Sequence, residues 1–185
     1  MATKPRSQAL FGRPANTTIA AAVVVGFAAL AWTTSWYATF KALHVLAAVV
    51  WVGGALMIQV FAFLILRAKD GSEMAAFAKR AEWIGMRIFA PTSLALVALG
   101  FVLVHKGGWG YPFWVLFALV IWALSFLAGI GFLGPESGRI GKAIDQQGPD
   151  AQEVRFRIER ILLFSRVELA LIALAVADMV LKPGI

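Results

Sequence analysis

Apolar stretches of about twenty residues alternate with short charged segments along most of this chain. A membrane-spanning α-helix needs about 20 apolar residues, so each stretch is long enough to cross a bilayer. A last segment starts charged and becomes apolar in its second half. The spans predicted from this pattern are residues 17–37, 40–66, 83–106, 113–133 and 161–181. The pattern therefore predicts an all-α, polytopic membrane protein with five transmembrane helices in one bundle.

The composition supports this prediction. Of the 185 residues, 61% are hydrophobic and 15% are charged, whereas soluble domains are nearer half apolar and a quarter charged. No repeat or low-complexity tract divides the chain, so residues 17–185 are expected to form one transmembrane helical domain after a cytoplasmic N-terminal tail, residues 1–16. No A-x-A-like cleavage site precedes Lys41, which favours a retained first helix over a signal peptide.

The distribution of positive charge predicts the orientation. With five spans, fourteen of the seventeen lysines and arginines lie on the side of the N-terminus, and Lys41, Lys106 and Lys182 lie on the other. The positive-inside rule then places the N-terminus in the cytoplasm and the C-terminus outside. The net charge of +7 is thereby explained by topology, so the lipid bilayer is the expected partner and nucleic acid is not. The expected location is the bacterial inner membrane.

Several local features are also predicted. Ser72 is a candidate cap for the helix that enters the third span, and Pro91 should kink that span. Residues 134–152 read as a glycine-rich charged connection containing a short helix at about 139–146. The fourth span is apolar on every face, which is typical of a lipid-exposed helix. Helices two, three and five are therefore expected to form the functional core.

The candidate chemistry is limited because the chain has no cysteine and only two histidines, His44 and His105. His44 and Trp51 share a helix face, and topology places His105 and Asp178 on the same outer side of the membrane. An imidazole within lipid needs a partner. Three interpretations of His44 are open: a hydrogen bond to a carbonyl or to Asp178, ligation of a haem iron, or binding of copper or another metal ion in transit.

A second polar layer is expected near the inner surface. Arg87 and Glu168 lie there at similar depth, with Gln59 slightly deeper. The simplest interpretation is an ion pair between Arg87 and Glu168, or arginine side chains that extend separately to the interface.

Some of these residues resemble patterns of known families. The order of His44, Trp51 and Gly54, followed by Pro91, Gly100 and Trp114, resembles HemJ-type protoporphyrinogen oxidases. The opening from His44 through Trp51 to Gly53-Gly54 is also similar to copper-resistance-D-type membrane domains. Overall the chain is most similar to an uncharacterised group of bacterial integral membrane proteins, which tend to end in a Lys-Pro like Lys182-Pro183.

The HemJ-type resemblance implies that His44 is an axial ligand of a b-type haem. The cofactor-binding candidates are His44, Trp51, Gly54, His105 and Asp178, and the metal-ligand candidates are His44 and His105. That family also uses a lysine where this chain has Ala118, so protoporphyrinogen oxidation is not predicted and no catalytic residue is proposed. An enzyme is not expected unless bound haem makes the protein an oxidoreductase.

The leading hypothesis is therefore a small integral membrane protein that binds haem b near the outer side through His44 and has a redox or electron-transfer role. The alternative is a non-redox protein, either a copper or metal-ion permeation domain or a structural subunit of a membrane complex. A homo-oligomer or a partner within such a complex is compatible with both.

Overall fold

The computed structural model describes residues 13–68 and 70–183. Within these ranges the regular structure is helical and forms five continuous helices. They are α1 (Arg13–Thr33), α2 (Trp36–Ala68), α3 (Gly71–Gly107), α4 (Phe113–Gln147) and α5 (Gln152–Leu181). The chain divides into two compact units, residues 1–39 and residues 40–185, and the cavity and the two ends of the helices belong to the second unit. Most of the expected N-terminal tail lies outside the described residues.

Three of the expected spans are confirmed as helices able to cross a membrane. By length and composition, α2, α3 and α4 each qualify, and they contain the predicted spans 40–66, 83–106 and 113–133. The apolar part of α1, Thr17–Thr33, is shorter than this criterion requires. Helix α5 carries Arg166, Glu168 and Asp178 in its apolar half. The count of five spans and their orientation stay predictions.

Each of the three long helices contains one five-residue turn of π-helix. These turns are Val49–Gly53 in α2, Gly85–Phe89 in α3 and Gly129–Leu133 in α4. Pro91 and Pro135 each lie two residues after such a turn. A proline lacks the amide hydrogen and crowds the preceding turn, and a wider turn accommodates both effects. The disturbance expected at Pro91 therefore takes the form of a π-helical turn.

Two local predictions were wrong. Helix α4 continues without a break to Gln147, where a connection with a short separate helix was expected, because the π-helical turn lets the helix pass Gly134-Pro135. The cap of α3 is Asp70 and not Ser72: Asp70 Oδ1 accepts hydrogen bonds from the backbone amides of Ser72 at 2.8 Å and Glu73 at 3.2 Å. The Ser72 hydroxyl also donates to Asp70 Oδ1 at 2.7 Å, and this bond, together with the two amide bonds, lowers the pKa of Asp70.

The charged end of the helices, defined as residues 70–84 and 134–160, has a small core of its own. Its buried side chains are Ala75, Ala78, Ile140, Ala143, Ile144 and Val154. Gly141 brings α4 close to α3, because a Cβ at Gly141 would lie 2.9 Å from Lys79 Cγ and 3.2 Å from the backbone oxygen of Ala75. Lys79 also pairs with Asp145 across the two helices.

The opposite end, defined as residues 103–115 and 178–183, is held by aromatic and aliphatic packing. Trp114, Val115 and Val104 are buried together, with Leu119 and Met179 against them. Helix α4 also buries Ile121 and Ser125 and packs along α5. The fourth span has two kinds of face. Its exposed side chains are Phe113, Leu116, Val120, Leu124 and Leu127, as expected of a lipid-exposed helix, whereas the face with Trp114 and Ser125 packs against other helices.

Candidate ligand-binding cavity between the long helices

His44 is held against α3 by one hydrogen bond. Its Nδ1 lies 2.9 Å from the backbone oxygen of Leu96. A carbonyl oxygen only accepts, so Nδ1 carries the hydrogen and donates it. Gly100 permits this approach, because a Cβ there would lie 3.3 Å from His44 Cε1. This contact agrees with the first interpretation of His44, a hydrogen bond to a carbonyl group of a neighbouring helix.

The arrangement does not pair the two histidines. His105 is five residues after Gly100 on the same helix, which places it about 7.5 Å further along the axis and rotated by about 140°. It therefore projects from a different face than the one that contacts His44, and it is exposed. No group of three or more His, Asp or Glu side chains suited to a metal ion occurs among the described residues.

The hydrogen bond of His44 is of the kind that a metal-bound histidine makes. Metal-bound histidines usually donate their other ring hydrogen to a carbonyl or carboxylate, as His44 does to Leu96. Within the described part of the chain, Nε2 makes no hydrogen bond. Asp178 makes none to His44 and thus does not act as the expected second partner. The described residues therefore leave one ring nitrogen of His44, Nε2, without a hydrogen-bond partner, and bring neither His105 nor Asp178 to it.

The remaining predicted site residues lie elsewhere. Trp51 is buried, with 9% of its surface exposed, and lies in the π-helical turn of α2. Gly54 packs against Phe89, since a Cβ at Gly54 would lie 2.5 Å from Phe89 Cε1. Asp178 is buried at the opposite end, beside the packed Met179. Of these residues, Trp51 lines a cavity between the helices.

A cavity of about 190 Å³ lies between α2, α3, α4 and α5. It extends from Trp51 to Met74, Ile144 and Ile158 at the charged end. Its walls are mainly apolar, and neither His44 nor His105 is among the residues that line it. The cavity is therefore a different place from the predicted haem site.

All three π-helical turns contribute to the walls of this cavity. Trp51 comes from the turn in α2, Phe89 from the turn in α3, and Ile130 and Leu133 from the turn in α4. Single π-helical turns within α-helices occur often at functional sites, because they redirect side chains and free backbone groups. Three helices that each place such a turn at one cavity point to that cavity as the candidate site.

Four serines line the cavity, and one differs from the other three. Ser93, Ser137 and Ser165 each donate a hydrogen bond to a carbonyl of their own helix, at 3.3, 2.8 and 3.1 Å. The hydroxyl of Ser125 is buried and finds no partner among the described residues, and Ser125 is only 3% exposed. A buried hydroxyl without a partner is costly, so Ser125 marks a point where a ligand group or a water would bond.

Glu168 also lines the cavity. It is half-buried and forms no hydrogen bond or ion pair with any described residue. The ion pair expected between Arg87 and Glu168 is absent among the described residues, and the Arg87 side chain is exposed. Gln59 is a further polar residue of the wall. The mainly apolar cavity thus holds a carboxyl group and a hydroxyl group that have no partner among the described residues.

A very different glutamate lies just beyond the apolar part of α4, which ends at Leu133. Glu136 is fully buried, and its Oε1 accepts hydrogen bonds from Arg157 at 2.8 Å and Arg160 at 2.7 Å. Arg139 lies 3.4 Å from its other oxygen. Burial alone would raise the pKa of Glu136, but hydrogen bonds and charge from Arg160 and Arg157 outweigh burial and hold it below its ordinary value.

These features define an integral membrane protein with an apolar cavity between its long helices. Residues 38–183 match the family described as "Predicted integral membrane protein (DUF2269)", and the chain belongs to that family. No curated protein and no solved structure matches the chain. The expected membership of an integral membrane family is therefore confirmed, and the HemJ-type and copper-resistance-D-type resemblances stay predictions.

Sequence reasoning missed Ser125 and assigned Glu168 to an ion pair. A signal was nevertheless present: a glycine followed six residues later by a proline occurs at Gly85–Pro91 and again at Gly129–Pro135. This spacing is compatible with a widened turn ahead of each proline. The two glycine-proline spacings lie in two helices that line the cavity, but the spacing does not show that these helices face each other.

Proposed function

We propose that this protein binds a small amphiphile in the cavity between α2, α3, α4 and α5. The ligand has an apolar body and a protonated amine, which Glu168 recognises as the counter-charge. One observation carries the proposal: the unpaired carboxyl group of Glu168 and the unpaired hydroxyl group of Ser125 line the same, otherwise apolar cavity. Ligand pockets commonly combine apolar walls with a few such polar groups.

The chemistry of the cavity favours an amine over an anion. A carboxylate in an apolar environment is costly unless it is paired, and none of the described residues supplies a cation to Glu168. A ligand ammonium group would supply it, while Ser125 accepts or donates a further hydrogen bond. The aromatic residues Trp51, Phe89 and Phe126 offer apolar surface to the body of the ligand.

The test uses octylamine and octan-1-ol as probes. The protein is reconstituted in lipid nanodiscs, and binding of each probe is measured by calorimetry after subtraction of the signal from empty nanodiscs. We expect the protein to bind octylamine at least tenfold more tightly than octan-1-ol, and Glu168→Gln to remove the difference. The matched control is Glu159→Gln, which changes an exposed carboxylate on the same helix outside the cavity. Equal octylamine binding by the protein and by Glu168→Gln would contradict the proposal.

We further propose that the charged end faces the cytoplasm of a bacterial inner membrane. The excess of lysine and arginine near the charged end supports this orientation. Because the cavity extends to the charged end, ligands would then reach it from the inner leaflet. A reporter fused after Ile185 and active only outside the cytoplasm tests the orientation; activity in the cytoplasm would contradict it.

A second candidate function is binding of haem b through His44. The observation that favours it is the hydrogen bond from Nδ1 to Leu96, the arrangement in which a histidine offers its other nitrogen to a metal. Bound haem would supply one-electron chemistry. An electron-transfer role follows only in that case.

The visible absorption spectrum tests this candidate. After expression with sufficient haem, a haem protein shows a Soret band that His44→Ala abolishes, while His105→Ala keeps it because His105 projects from another face. A colourless protein removes the candidate and leaves His44 as a contact between helices. In that case His44→Gln should lower the free energy of unfolding by only about 0.6 kcal/mol, the average for such bonds in membranes.

A further inference from the structure

Two tryptophans at the opposite end enclose a positive charge. The ring centroids of Trp109 and Trp114 are 5.4 Å apart, and the ring planes are tilted by 60°. The ammonium group of Lys182 lies 4.6 Å from the centroid of Trp109 and 5.2 Å from that of Trp114. Both distances are within the roughly 6 Å over which an indole face attracts a cation. The pair thus forms a two-sided aromatic cage occupied by the chain's own lysine.

The neighbourhood of this cage contains two polar atoms without partners. Asp178 precedes Lys182 by one helical turn, and 92% of it is buried. Neither its Oδ2 nor Trp114 Nε1 has a hydrogen-bond partner among the described residues. Lys182 forms no ion pair with Asp178, although a residue four positions along a helix is within reach. None of the described residues therefore supplies a cation to the Asp178 carboxyl group.

The backbone fixes Lys182 in this place. Its φ of 45° is in the left-handed region, which is unfavourable for a residue with a side chain. Its amide donates a hydrogen bond of 2.7 Å to the backbone oxygen of Asp178. The end of α5 thus holds a strained residue whose side chain lies on the two indole rings.

We propose that Trp109, Trp114 and Asp178 form a binding site for an organic ammonium ion, with Lys182 as an internal competitor. The site suits a methylated ammonium group, because such a group is weakly hydrated and interacts with aromatic faces and a nearby carboxylate. This site is separate from the cavity at Glu168, and the proposal does not depend on that cavity.

The test uses tetramethylammonium chloride as the probe, at constant total salt, on the full-length protein in nanodiscs. We expect Lys182→Ala to bind the probe at least tenfold more tightly than the unchanged protein, because the competitor is gone. The matched control is Lys106→Ala, which removes an exposed lysine at the same end without touching the cage. Adding Trp109→Leu to Lys182→Ala should abolish the gain in tetramethylammonium binding. Trp109 is 39% exposed, so this change leaves the buried Trp114 in place.

Two results would overturn the proposal. One is a Lys182→Ala variant that binds tetramethylammonium no better than Lys106→Ala does. The other is a gain in Lys182→Ala that persists after Trp109→Leu, which would place the bound cation outside the cage. Either result leaves the contact of Lys182 with the two rings as a structural attachment of α5.

Discussion

Two glutamates of this protein show opposite solutions to the burial of a carboxyl group. Glu136 is fully buried, and three arginines of α4 and α5 surround it. Glu168 lies further along α5, half-buried in the wall of an apolar cavity, and has no partner among the described residues. Both positions read alike in the sequence, as an acidic residue close to arginines. The structure separates them.

The difference indicates two roles. A buried carboxylate with several charge-assisted hydrogen bonds joins helices, and removal of one partner leaves the others unpaired. A carboxyl group without a partner makes no stabilising contact, and its burial lowers the stability of the folded state. Such groups within membrane segments are usually functional. The comparison therefore predicts that substitutions at the two glutamates change stability in opposite directions.

The largest effect is expected for Glu136→Gln. The substitution removes the negative charge that pairs with both Arg157 and Arg160. We therefore expect the free energy of unfolding to fall by about 3 kcal/mol. This value is the lower end of the range for breaking a buried ion pair, because both arginines are partly exposed. Denaturant unfolding in detergent micelles measures it. Glu159→Gln is the control, since this exposed carboxylate has no hydrogen bond or ion pair with a described residue to lose and should change stability by less than about 0.5 kcal/mol.

The same site predicts a dependence on pH. The folded protein lowers the pKa of Glu136 below its ordinary value of 4.5. The stabilisation is therefore complete above pH 4.5 and is lost as the pH falls through the lower pKa of the folded state. Glu136→Gln should lack this part of the acid-induced loss. Identical acid profiles for the protein and the variant would contradict the assigned role.

A smaller loss is expected for Gly141→Ala, which tests the packing of α3 against α4 at the charged end. The new Cβ would lie 3.2 Å from the backbone oxygen of Ala75, and backbone cannot yield as a side chain can. We expect the free energy of unfolding to fall by roughly 1–3 kcal/mol, the usual cost of overpacking. Gly53→Ala is the control, because a Cβ there meets nothing within 4 Å. Equal stability of the two variants would show that α3 and α4 separate at little cost.

The sequence was sufficient for the parts of the structure that depend on periodicity and length. It predicted the helical class and the apolar ranges of α2, α3 and α4, because about twenty apolar residues have few other stable arrangements. It failed at Gly134-Pro135, where a connection was expected. A glycine-proline pair usually ends a helix, and only the π-helical turn before it lets α4 continue.

The site was harder to predict because it depends on contacts between distant helices. Depth in the membrane placed Arg87 and Glu168 together, but depth does not fix which face of a helix a residue occupies. Ser125 looked like an ordinary small residue in an apolar helix. Its lack of a partner is visible only beside Ser93, Ser137 and Ser165, whose hydroxyls are all bonded within their own helices.

For Glu168→Gln we expect a small gain in stability. No hydrogen bond or ion pair with a described residue is lost, and a group that is costly to ionise in an apolar environment becomes neutral. The free energy of unfolding should rise by about 0.5–1 kcal/mol, the kind of exchange of stability for function seen at binding sites. Unfolding without any added amine measures it. A loss above about 1 kcal/mol would mean that Glu168 has a structural partner and belongs with Glu136.

The smallest change in stability is expected for Ser125→Ala. The sign of this change shows whether the Ser125 hydroxyl, like the Glu168 carboxyl group, has no partner in the folded protein. The substitution removes a buried hydroxyl that has no partner, so stability should stay equal or rise by up to about 0.5 kcal/mol. The matched control is Ser137→Ala, in the same helix and the same cavity. Ser137 Oγ donates a hydrogen bond of 2.8 Å to the Leu133 carbonyl oxygen, so loss of this bond should leave stability equal or slightly lower. Octylamine binding should weaken in Ser125→Ala and stay unchanged in Ser137→Ala. If Ser125→Ala is the less stable of the two and binds octylamine normally, an ordered water satisfies its hydroxyl, and Glu168 alone recognises the ligand.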